Sequence, residues 1–144
     1  MTTDDKKPYF KLHGIQLISV NVVELFIKVN VTPNEKMAED SDLSLKSGHG
    51  DYDEDNRTIQ VGVQLDYGMG EESKTPYSMR IELFGDFEVD EELFDKEHLE
   101  HWARKNAPLI LFPFLREHAY ALAIRCGFDP LILPLLQVPA LTRG

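Results

Sequence analysis

The 144-residue sequence predicts an α+β fold, an antiparallel sheet with helices packed on one face. Three observations lead there. Stretches alternating between apolar and polar residues come first, between Pro8 and Val89. Helix start and stop signals follow only after Asp90. Last, Asn106 to Pro134 is apolar almost all round, with polar residues confined to about one turn, whereas a soluble helix normally has one apolar stripe. That much apolar surface needs more than one partner layer.

In order, Pro8 to Val31 reads as extended chain rich in β-branched residues. Its apolar positions change parity: Phe10 and Leu12 are even, Ile15 and Leu17 odd, Val20 and Val22 even. A period-two strand cannot change faces without an extra residue, so Gly14 and Ile18-Ser19 are candidate bulges or bends. Thr32 to Asp42 is a polar connection with one apolar side chain, Met37. Leu43 and Leu45 begin a second strand, and Ser47 to Asn56 reads as loop or frayed edge. Arg57 to Tyr67 and Pro76 to Val89 alternate cleanly on either side of the turn Gly68 to Ser73, as an antiparallel pair with one wet face would. Asp90 then caps a helix running to about Lys105, with Leu99 and Trp102 on one face. A second helix enters through Pro108, carries Pro113 and stops near Gly127; Phe128 to Pro134 is a short apolar run.

A net charge of −10 argues against a nucleic-acid partner, which calls for basic patches. The single cysteine, Cys126, excludes an internal disulfide framework and reads as an inert buried thiol. No secretory h-region and no membrane-length apolar window is present, so the expected location is the cytoplasm, without membrane insertion. Asp51, Asp53 and Asp55 have the spacing of a calcium loop, but Asn56 and Gly62 stand where its glycine and bidentate carboxylate belong. His98 and His101 are three apart, not the four of a zinc-binding helix. Gly68-x-Gly70 runs into Glu71 and Glu72, which repel phosphate. No catalytic motif emerges, and no metal or cofactor is expected.

With strands placed first and helices last, Leu111-Phe112-Pro113-Phe114-Leu115-Arg116-Glu117 resembles the L-F-P-[YF]-x-R-E signature of the SecB family of export chaperones. Arg125, Phe128, Leu131 and Leu133 continue the family pattern without a gap. The resemblance covers most of the chain, most strongly from Asn106 to Leu133. It implies one SecB-like domain over residues 1–144, with 1–8 flexible, and a four-stranded antiparallel sheet backed by a long helix. It further implies a homotetramer, a dimer of dimers, that holds unfolded polypeptides such as preproteins without ATP.

Carried over position by position, the resemblance puts Met37, Leu43, Leu45, Tyr77, Trp102, Phe114 and Leu141 along a client groove. Leu111, Leu115, Arg116, Glu117 and Leu122 fall at the oligomer interface, and Glu24 and Glu82 where the family meets the translocase motor. Two departures weaken the motor link. Arg80 and Ser19 occupy acidic positions of the family, and little follows Leu141 where the family has a final helix and tail. These departures also suit the SecB-like branch that serves toxin–antitoxin systems, protecting an aggregation-prone antitoxin. A partner-specific assembly protein and a small α+β enzyme with a compact polar pocket are the readings from other classes.

Overall fold

The computed structural model describes residues 11–30, 43–70, 74–131 and 133. Four strands, β1 (Ile15–Val29), β2 (Leu43–His49), β3 (Thr58–Tyr67) and β4 (Tyr77–Val89), precede two helices, α1 (Leu99–Lys105) and α2 (Ala107–Arg125). The sheet order is β1-β4-β3-β2, with every neighbouring pair antiparallel. Consecutive strands β1 and β2 therefore stand at opposite edges.

Alternation sets the two faces. Ile59, Val61, Val63, Leu65 and Tyr67 of β3 pair with Phe87, Gly85, Leu83, Ile81 and Met79 of β4, and all are buried on the side that α2 covers. Each such large apolar side chain contributes about 1.5–3 kcal/mol when fully buried. α2 reaches this face through Leu111, Leu115, Ala119 and Leu122, spaced by three and four residues so that they form one stripe. Close approach depends on Gly85, where an added Cβ would lie 2.6 Å from Leu111 Cδ2. The outer face is polar. Asp86 accepts from Ser19 Oγ at 2.7 Å and from Gln60 Nε2 at 3.1 Å, and Asp66 from Arg80 Nε at 2.6 Å.

β1 has 15 residues against the 13 of β4. Register shifts between Leu17 and Ser19 and between Val22 and Glu24 absorb Ile18 and Val23 as bulges. The first falls where it was expected, and Gly14, the other expected place, forms a bend just before the strand. The second keeps Leu25, Ile27 and Val29 on the same face as Val20 and Val22.

Two local expectations are corrected. Residues Ser47 to His49 continue β2 despite their polarity, pairing with Val63, Gly62 and Val61; an edge strand has one wet side and tolerates them. The helix expected from Asp90 begins later. Asp90 instead closes a turn, its carbonyl accepting from Leu93 and Phe94 N–H. That turn seats Leu93 and Phe94 against Gly14, and Asp95 caps the short 3-10 turn Lys96–His98 ahead of α1. The acidic loop has a structural task. Asp53 accepts from Asp55 N, Asn56 N and Asn56 Nδ2, and the chain reverses through Arg57 at φ 57°. Those bonds, the Asn56 side chain first, hold the Asp53 carboxyl below its usual value.

Candidate functional site

The sheet-facing stripe of α2 is flanked on one side by Pro108 and Phe112. Beside them β2 ends the sheet, and no described strand pairs beyond it. Between strand edge and helix lies an apolar groove of about 210 Å3, lined by Leu45, Val63, Pro108, Phe112 and Leu115, with Lys46 and Ser47 at its rim. Leu43 and Leu45 are half-buried at this edge. Open backbone N–H and C=O groups next to an apolar groove are what an extended peptide can use: the backbone pairs with the edge, and side chains on one face enter the groove.

The expected groove residues do not all meet here. Leu45 lines the groove. Phe114 does not: two residues beyond Phe112, it is turned roughly 200° around the helix and lies on the opposite flank. Tyr77 is fully buried, its ring 5.0 Å from Tyr67 and 4.7 Å from Phe128. Its hydroxyl is buried without a hydrogen-bond partner among the described residues, and burial pushes its pKa up. Trp102 is 6% exposed, packed edge-on to Phe87 at 5.1 Å. Tyr77 and Trp102 thus belong to the core in this conformation. Met37 and Leu141 lie outside the described residues. Phe112, Pro108 and Val63 were missed, although the Leu111, Leu115, Ala119, Leu122 spacing would have placed Phe112 on the sheet-side flank.

The residues expected at an oligomer interface also divide. Leu111, Leu115 and Leu122 face this chain's own sheet. Arg116 lies 5.9 Å over the Phe112 ring, and Glu117 is exposed. The outward side of α2 carries Ile110, Tyr120 and Ile124 instead, all exposed. A second exposed apolar surface runs along β1, where Val22, Leu25 and Val29 lie on the helix side of the sheet and Phe26 on the other.

Glu24 and Glu82 are direct cross-strand partners on the outer face. Like charges so placed destabilise a sheet. Arg80, one step along β4, interacts with both while bonded to Asp66, and that bond first raises its pKa. Among the described residues no group of three metal-ligating side chains converges, and no helix is long and apolar enough to cross a membrane.

Comparison with known proteins agrees with the strand and helix order. The family model described as preprotein translocase subunit SecB matches residues 13–142. A SecB-like chaperone of Mycobacterium tuberculosis, Rv1957, solved in complex with a ChAD peptide from the HigA1 antitoxin, superposes with a TM-score of 0.66. That alignment covers 85% of this chain and 90% of the other at 19% identity, and speaks to the fold. An uncharacterised protein of Methanocaldococcus jannaschii is 32% identical over 80 residues, 56% of this chain. The chain spans about half, 47%, of that relative's length. A Streptococcus agalactiae structure of unknown function, at TM-score 0.41, 11% identity and 87% and 100% coverage, carries no weight.

Proposed function

Because the chain belongs to the SecB family of chaperones, we propose that it is an ATP-independent holdase that keeps unfolded or non-native polypeptides soluble, preproteins for export among them. The observation that carries this reading is the apolar groove beside the open edge of β2. Such a site selects by extended backbone and apolar side chains, not by a sequence code, as a chaperone for many clients requires. It needs no cofactor and no catalytic group. On this reading the chain is a single cytoplasmic domain that assembles as a homotetramer. The apolar surfaces on β1 and the outward side of α2 support assembly, since exposed patches of this kind mark interaction sites.

The test is suppression of aggregation of a chemically denatured protein by stoichiometric tetramer. Full aggregation in its presence would sink the holdase reading.

A second reading is a SecB-like chaperone dedicated to one partner, such as an antitoxin. Two observations favour it: Arg80 lies beside the Glu24–Glu82 pair, where a motor would dock, and the Mycobacterium tuberculosis neighbour was solved with an antitoxin peptide. Binding to a panel of unrelated unfolded proteins separates the two readings, a general holdase holding most of them and a dedicated one few.

A further inference from the structure

We infer that His13 is a pH-sensitive latch that closes the start of β1 over Trp102. Gly14 O accepts from Asp90 N at 2.7 Å, which makes Gly14 and Asp90 a bonded pair across β1 and β4. The next pair, Ile15 and Val89, is then unbonded, and the Ile15 N–H points to the open side of β1. His13 supplies what that N–H lacks: Nδ1 accepts it at 2.9 Å. Only a neutral ring protonated on Nε2 can do so.

Held in this way, the exposed imidazole lies tilted beside two aromatic rings, 5.8 Å from Phe94 and 6.1 Å from Trp102 between centroids. The bend beneath it is tight, since a Cβ on Gly14 would meet Phe94 Cβ at 2.9 Å. Gln16 Nε2 steadies the turn by donating to His13 O at 3.0 Å.

A second proton converts Nδ1 from acceptor to donor and sets it against the Ile15 N–H. The Ile15 N–H, on the open side of β1, then loses its protein acceptor, and the bond that holds the ring in place is gone. The charged ring also has somewhere to go. Beside it lies a cavity of about 430 Å3 lined by Glu88 of β4, Asp90 and Glu92 of the following turn, and Arg57 ahead of β3. That lining carries three carboxylates and one guanidinium, while α1 presents the Trp102 indole to the ring. Protonation therefore draws His13 off the aromatic cluster and bares Trp102. The geometry stands independently of which polypeptide the groove takes.

Trp102 is the only tryptophan, so its quenching by acrylamide in the full chain reports the latch directly. Accessibility should rise roughly twofold or more between about pH 8 and pH 5, where an imidazole takes up its proton. His13→Asn, whose side-chain oxygen can still accept the N–H two residues on, should give accessibility that does not vary with pH. His13→Ala should leave Trp102 open at both pH values. A pH-invariant wild type, a His13→Asn variant responding like wild type, or a His13→Ala variant staying covered would each overturn the proposal. So would a fall in emission without a change in acrylamide accessibility, because a charged imidazole can quench a ring it still covers.

Discussion

β1 and β2 both bound the sheet, yet they meet solvent in different ways. β1 runs for 15 residues, carries two bulges and exposes large apolar side chains on both faces, with Val23 itself 54% exposed. β2 runs for seven, places Ser44, Lys46 and Gly48 on its outer face, and keeps Leu43 and Leu45 half-buried beside α2. A long apolar edge left open is an aggregation hazard, so β1 calls for constant cover. The short, mostly polar β2 edge can stand open until a peptide fills its groove. On the proposed reading one edge holds subunits and the other holds clients.

The most damaging change should be Leu25→Asp, which places a charge on the helix-side face of β1 opposite Ile81. Light scattering should then report species smaller than the tetramer. An unchanged mass would break the division of labour between the edges. Leu45→Asp should leave the mass intact and weaken binding of an unfolded protein by about tenfold, ~1.4 kcal/mol; a tetramer lost with it would merge the two roles. Least disruptive should be Tyr77→Phe on β4, between the edges. It removes a buried hydroxyl that has no partner among the described residues and should raise stability in chemical denaturation by about 1 kcal/mol, with mass and binding unaltered. A fall in stability would mean that the hydroxyl is bonded after all.

The central strands and α2 were legible because their signals agree: alternation in β3 and β4, and proline at the helix entry with glycine past its end. β1 was half legible. The shift at Ile18 was read from Leu17 and Val20, but the return at Val23 was visible only in the odd parity of Leu25, Ile27 and Val29. The start of α1 misled because Asp90, Glu91 and Glu92 suit a turn as well as a helix N-terminus, and only the packing of Phe94 on Gly14 decides. For the groove, the signature stretch contains both Phe112 and Phe114. Composition cannot choose between them; helical phase relative to Leu111 and Leu115 does. Trp102 was placed in the groove by the family resemblance, yet its edge-on packing with Phe87 is a long-range contact that no local pattern records.

The two bulges have a consequence for how this chain can change in length. Ile18 and Val23 are the residues of β1 left over when the strand is matched to β4. Removing either would leave the residues on both sides in their present alternation, Leu17 in, Ser19 out, Val20 in, and likewise Val22 in, Glu24 out, Leu25 in. A strand of 13 residues without kinks would thus present the same faces to the same partners. Single-residue deletions at these two positions are the ones β1 can absorb, and what they would alter is the twist of the edge, not the pattern of the core.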